Sequence, residues 1–229
     1  MALLLCIESS AEVCSVALTH NGEVVELQES ALERDHAKLL APFIGNVLGK
    51  AGVAPHQLDA VAVSKGPGSY TSLRIGASTA KGLCYGAGKP LIAVGSLHAL
   101  TALAMAKATL LPTDLLCPML DARRMEVYTA MFDANGVQQT EVAARTVDEN
   151  SFAEELKERR IVFFGSGAGK YRQVAQNANA VFVEVQASAS GMARLAERLF
   201  AEKRFEDVAY FEPFYLKNFV AIKSTKKLL

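Results

Sequence analysis

The chain has 229 residues, with 24 Lys+Arg against 24 Asp+Glu, 51% apolar and 21% charged residues. Those proportions exclude a mainly disordered chain, and the zero net charge excludes a freestanding nucleic-acid binder driven by a basic excess. No apolar run approaches the ~20 residues that span a bilayer.

Met1-Ala-Leu-Leu-Leu-Cys6 has no basic segment before it and Glu8 follows closely, so it reads as a buried strand and not a signal peptide. Apolar Leu3–Leu18, the Asn21-Gly22 turn signal and alternating Glu23–Leu27 predict three antiparallel strands joined by two tight turns. Asp35 is placed to cap a helix to about Leu48 or Lys50, with Leu39, Leu40, Phe43, Ile44, Val47 and Leu48 at helical spacing. Pro42 sits early in it, and Gly49 and Gly52 mark its end. Val61–Ser69 is a strand running into a glycine loop, followed by predicted helices Ser72–Tyr85 and Ser96–Ala108. Lys107–Asp114, with Pro112, is the expected lobe junction, giving an N-terminal lobe 1–110 and a smaller C-terminal lobe 111–229.

The second half repeats the first. Leu116–Asp121 is again an apolar run ending in a carboxylate, followed by a strand Glu126–Phe132 and an Asn135-Gly136 turn. Glu8 and Asp121 are 113 positions apart and the two Asn-Gly pairs 114 apart, as a tandem duplication with one indel requires. Helices are predicted over 147–160, 170–177 and 191–201, and Ile161–Gly169 is a second strand ending in glycines. Each half is an α/β unit with a mixed sheet.

Lys65-Gly-Pro-Gly-Ser-Tyr-Thr-Ser-Leu-Arg-Ile-Gly76 joins a strand to a helix N-terminus, a geometry that holds a phosphate or serves as a plain turn. Gly165-Ser-Gly-Ala-Gly-Lys-Tyr171 imitates a P-loop, but Phe164 replaces its first glycine and Tyr171 its magnesium-reaching hydroxyl. A strand-to-helix turn is expected there. Cys6, Cys14, Cys84 and Cys117 form no C-x-x-C pair and read as buried thiols in a reducing cytoplasm. His20, His36, His56 and His98 offer neither a zinc pair nor a nucleophile context, so no catalytic residue, metal or cofactor is expected.

The two-half plan resembles the actin/hsp70/sugar-kinase superfamily, which implies a two-lobed actin-like (ribonuclease H-like) duplicated fold. GPGSYTSLRIG is similar to the GPGSFTGLRIG signature of the TsaB (YeaZ) family, bacterial partners in making threonylcarbamoyladenosine at tRNA position 37. Ile7-Glu-Ser-Ser10, Cys14–Leu18, His36–Pro42, Asp121–Tyr128 and Glu212–Lys217 also match. Tyr70 and Ser72 stand where that family has phenylalanine and glycine. His98 matches the first histidine of the metal pair in the paralogous catalytic subunit TsaD, but Ala102 occupies the second position. The resemblance therefore implies a non-catalytic paralogue that binds TsaD, works with the ATPase TsaE, meets tRNA within the complex and forms a homodimer when alone.

It also implies contact through the first-lobe helices. Candidates are His36, Leu39, Leu40, Phe43, Ile44, Val47, Ser72, Ile75, Gly76, Thr79 and Leu83, each of which the core also claims. Glu8, Ser9, Ser10, Gly66, Gly68 and Asp121 are candidates for a vestigial nucleotide cleft. The alternative readings are an actin-like ATPase or nucleotide-binding protein, and a peptidase. Lys217, Lys223, Lys226 and Lys227 either touch an RNA backbone or form a solvated tail.

Overall fold

The computed structural model describes residues 2–30 and 35–217. Strands β1 (Leu3–Glu8), β2 (Ser15–His20) and β3 (Glu23–Glu29) form an antiparallel meander. Asn21 and Gly22 both adopt positive φ, the backbone that a two-residue hairpin turn demands. The first connection is not a tight turn: residues 9–14 form a longer loop that returns to the site described below.

Helix α1 (His36–Ala51) follows, then β4 (Ala60–Gly66), α2 (Tyr70–Ala87), β5 (Leu91–Gly95) and α3 (Ser96–Lys107). Asp35 occupies the N-cap of α1 but gives its backbone no side-chain hydrogen bond. Its carboxylate instead pairs with Lys38 at 2.8 Å. The second half holds β6 (Leu115–Asp121), β7 (Glu126–Thr129), β8 (Phe132–Asp133), β9 (Ala143–Thr146), α4 (Ala153–Glu158), β10 (Ile161–Phe164), α5 (Ala168–Arg172), β11 (Ala180–Val183) and α6 (Ala193–Ala201).

The sheet orders are β3-β2-β1-β4-β5 and β9-β7-β6-β10-β11, with β8 added beside β6. They are the same path, with parallel pairs β1–β4 and β6–β10 at equivalent places. The duplicated α/β fold is thus present at the level of topology. Three further sequence expectations are corrected. Glu126–Phe132 is two strands, because Ala130 and Met131 break the ladder and β8 returns to β6. The helix over 147–160 shrinks to α4, since Asp148 and Ser151 close a turn and Phe152 takes a positive φ. The last strand-to-helix unit, 170–177, is only α5.

α1 and α2 cover one face of the first sheet: Leu40, Phe43, Ile44 and Val47 pack with Ala77, Ala80, Leu5, Ile7, Val61 and Val63. The final helix of each half crosses over. Leu97, Leu100 and Leu103 of α3 pack into the second sheet with Leu116 and Phe132, while Met192 and Ala196 pack against Leu4, Ala62 and Ile92 of the first. A Cβ on Gly191 would lie 2.4 Å from the Ala99 carbonyl oxygen, so only glycine allows the two crossing segments to close up.

All four cysteines are free and buried. Burial pushes Cys6 and Cys117 up to about 12, and Cys14 and Cys84 up to about 11. The native chain is therefore expected to resist Ellman's reagent, with all four thiols reacting only after unfolding in guanidinium. Fast reaction of any thiol in native buffer overturns this.

Candidate functional site

β1 and β4 run parallel, so the segments leaving their C-terminal ends, 9–14 and 66–69, lie side by side. Glu8 closes β1 and is 1% exposed. Its Oε1 accepts the Ser10 N–H at 2.6 Å, while Oε2 and the Ser9 hydroxyl are buried without partners. Burial raises the Glu8 pKa, and hydrogen bonds from Ser10, Ser64 and Ser9 oppose only part of that rise. The folded value exceeds the unfolded one, so the group favours folding below the usual carboxylate range and loses that contribution as pH rises through its folded value. Glu8→Gln is expected to stabilise the chain by about 1–2 kcal/mol at neutral pH and to give no gain near about pH 4. Urea melts at the two pH values measure it.

The glycines of the loop serve the chain's own backbone. A Cβ on Gly68 would stand 2.3 Å from the Ser10 carbonyl oxygen, and one on Gly76 would stand 2.1 Å from Ser9 Oγ. The Ser69 N–H donates to Ser10 O at 2.8 Å. Outside the loop lies a strap, residues 206–217. The Phe214 N–H donates to Lys65 O at 2.6 Å, and a Cβ on Gly66 would sit 2.7 Å from Phe214 O. Lys81 of α2 holds the strap by donating to the carbonyls of Ala209 and Phe211 at 3.0 and 3.1 Å. The Tyr215 and Tyr70 rings meet at 4.8 Å, and Lys217 ion-pairs with Glu126 of β7. Lys223, Lys226 and Lys227 lie outside the described residues.

Glu8, Ser9, Ser10, Gly66 and Gly68 thus lie at the adjacent C-terminal ends of β1 and β4. Asp121 is not joined to them by any hydrogen bond or ion pair among the described residues. Its carboxylate pairs with Lys170 at 2.9 Å and accepts the Arg123 N–H at 2.6 Å. That is turn chemistry. The second glycine loop joins β10 to α5 as a strand-to-helix turn, and its Gly167 N–H donates to Met119 O at 2.9 Å. His98 lays its ring edge-on against Phe132 at 5.0 Å. Among the described residues, no three His, Cys, Asp or Glu side chains are grouped to hold a metal, and no helix is long and apolar enough to cross a membrane.

The helix candidates separate by burial. His36, Leu40, Phe43, Ile44, Val47 and Gly76 are buried, whereas Leu39, Ser72, Ile75, Thr79 and Leu83 are half-buried. His36 is pulled below the usual imidazole range by burial, against backbone hydrogen bonds near Val13 and Ala11. The face turned to solvent is different. On α1 it carries Ala37, Ala41, Gly45 and Gly49; on α2 it carries Ser78, Gly82, Gly86 and Tyr85, the last 88% exposed. A Cβ on Gly45, Gly49, Gly82 or Gly86 would meet nothing within 4 Å. Four-residue spacing makes Ala37, Ala41, Gly45 and Gly49 one ridge of small residues and Ser78, Gly82 and Gly86 another, with Tyr85 beside the second. The sequence marks α2 as a helix of small residues suited to close approach, and packing divides them: Gly76, Ala77 and Ala80 face the core, Ser78, Gly82 and Gly86 the solvent. Glu212–Lys217 of the strap carries a family resemblance in the sequence, but its packing over the glycine loop is a tertiary feature.

The model of the family TsaD, tRNA N6-adenosine threonylcarbamoyltransferase, matches residues 27–226. The Haemophilus influenzae tRNA threonylcarbamoyladenosine biosynthesis protein TsaB is 32% identical, over 96% of this chain and 95% of that protein. Its Escherichia coli counterpart is 30% identical over 96% of each. A Ralstonia pickettii tRNA N6-adenosine threonylcarbamoyltransferase is 32% identical, but over 64% of this chain and 46% of that protein. The structure of YeaZ from Pseudomonas aeruginosa superposes with TM-score 0.78 at 27% identity, covering 94% of this chain and 100% of that one. A Clostridium difficile 2-hydroxyisocaproyl-CoA dehydratase activator with bound ADPNP shares the fold alone, at TM-score 0.52 and 13% identity over 88% of this chain and 97% of that one. Near-complete coverage by TsaB proteins, against partial coverage by the longer transferases, assigns the chain to the TsaB (YeaZ) family.

Proposed function

We propose that this chain is the non-catalytic scaffold subunit of a cytoplasmic tRNA threonylcarbamoyladenosine system. It binds a TsaD-type catalytic subunit through the outer face of α1 and α2. It acts beside a TsaE-type ATPase, meets tRNA through the complex and pairs with its own copy when the partner is absent. Residues 1–110 form the partner-binding lobe and 111–229 the smaller supporting lobe.

The observation that carries this reading is the pair of small-residue ridges with open space over them. Glycines inside helices cost about 1 kcal/mol each relative to alanine, a cost that close approach of another helix offsets. The inward residues Leu40, Phe43, Ile44 and Val47 support the face from beneath, while Leu39, Ser72, Ile75, Thr79 and Leu83 border it.

Light-scattering mass of the purified chain, alone and with TsaD, tests the assembly. A one-to-one complex replacing a homodimer is expected. A reconstituted modification assay with TsaD and TsaE tests the role: omission of the chain is expected to abolish threonylcarbamoylation. Full modification without it would falsify the reading. Turnover of ATP by the chain alone supports an ATPase instead.

A further inference from the structure

A cavity of about 800 Å³ opens between the strap, α3 and α6, within the volume range of small-molecule sites. It adjoins the glycine loop through Gly66 and Pro67, while Ser9, Ser10, Gly68 and Asp121 do not line it. Lys65 at the end of β4, His98 in the first turn of α3 and Arg198 of α6 form one wall. Neither Lys65 nor Arg198 is held in an ion pair with a described residue. Arg204 adds a third cation, tied only loosely to Glu202 at 3.8 Å. The N-cap of α3 is Gly95, which brings no side chain to the first N–H groups of this 12-residue helix.

Three carboxylates also line the cavity, all on the strap: Glu206, Asp207 and Glu212. Asp207 is turned to its own backbone, accepting the N–H groups of Ala209 and Tyr210. The opposite wall carries Lys65, His98 and Arg198, while every lining carboxylate stands on the strap. The strap also supplies aromatic surface. Tyr210 is 84% exposed and Phe214 is exposed, and both line the cavity. A cationic wall facing exposed aromatic rings suits a ligand with phosphate at one end and a planar heterocycle at the other.

We propose that this cavity binds a nucleoside phosphate, its phosphates toward Lys65, Arg198 and the start of α3 and its base against Tyr210 and Phe214. The proposal stands apart from the scaffold reading, since it needs no partner. Calorimetric titration of the full chain with ATP and GTP, and with pyrophosphate and adenosine as separate halves, tests it. Saturable binding of the nucleotides is expected. Lys65→Glu with Arg198→Glu should weaken nucleotide and pyrophosphate at least about tenfold. Tyr210→Ala should weaken nucleotide and adenosine and leave pyrophosphate unchanged. All three side chains are exposed, and melting curves check that the variants fold; Lys65→Gln with Arg198→Gln is the milder pair. Absence of binding up to ~1 mM overturns the proposal. So does unchanged affinity in both variants, and so does binding of short RNA oligomers with none of mononucleotides.

Discussion

Gly45→Arg with Gly82→Arg is expected to leave the isolated chain as stable as before or to raise its melting temperature, while abolishing its complex with TsaD. Both positions are exposed helix interiors, and a Cβ at either meets nothing within 4 Å. Replacing helical glycine by arginine gains up to about 0.5–1 kcal/mol at each site through backbone entropy. Two long cations on a face built for close approach have the opposite effect on association. They hold the helices apart or are buried without partners, and a loss of at least about 100-fold in affinity is expected. Gly169→Arg on α5 is the control, because its Cβ position is also open but it lies in the second half. Titration calorimetry against TsaD, with a thermal melt of each variant, separates the two effects. Undiminished binding by the double variant removes α1 and α2 from the interface.

Asp114→Ala is expected to cost about 1.5–3 kcal/mol, the range for losing hydrogen bonds to a charged group, since the Arg160 side chain left behind reaches solvent. The Asp114 side chain is fully buried and takes two hydrogen bonds from Arg160, to Oδ1 at 2.8 Å and to Oδ2 at 2.5 Å. It also accepts the Leu111 N–H at 2.8 Å, and Arg160 reaches the Thr109 carbonyl. One carboxylate thus pins the connection between α3 and β6 to the residue just before β10. The Arg160 hydrogen bond, foremost, holds the Asp114 pKa below the usual carboxylate range. Its contribution is therefore fully present above the unfolded value and is lost as pH falls through the folded one. Denaturant melts of Asp114→Ala, Arg160→Ala and the double variant provide the measure. The double variant is expected to lose less than the sum of the singles, because each single leaves a charge without its partner. Additive losses would mean the pair is not coupled.

Much of the fold follows from short-range pattern. The apolar run 3–8, alternation in 15–20 and 23–29, the Asn21-Gly22 turn and the apolar spacing of α1 act within a few residues, so local chemistry suffices to read them. The duplication was equally open, since equivalent carboxylates and turns recur at nearly constant offset. Helix 147–160 misled because Asp148 and Ser151 bond to each other across a turn, which helical spacing alone does not register.

The site divides in the same manner. Its residue types, Glu8, Ser9, Ser10, Gly66 and Gly68, were visible, because strand ends and glycine turns are local features. Their partners were not. That Gly68 admits Ser10, that Gly66 admits Phe214, and that α3 and α6 exchange sheets are contacts between segments far apart in the chain. The same holds for the outer ridges of α1 and α2: periodicity defines two faces of a helix, and only packing on the sheet selects which one is buried. Local propensity and spacing determined the elements, the duplication and the family. Tertiary packing alone decided which helix face stays open and what fills the glycine loop, because burial belongs to the assembled surfaces and not to any one segment.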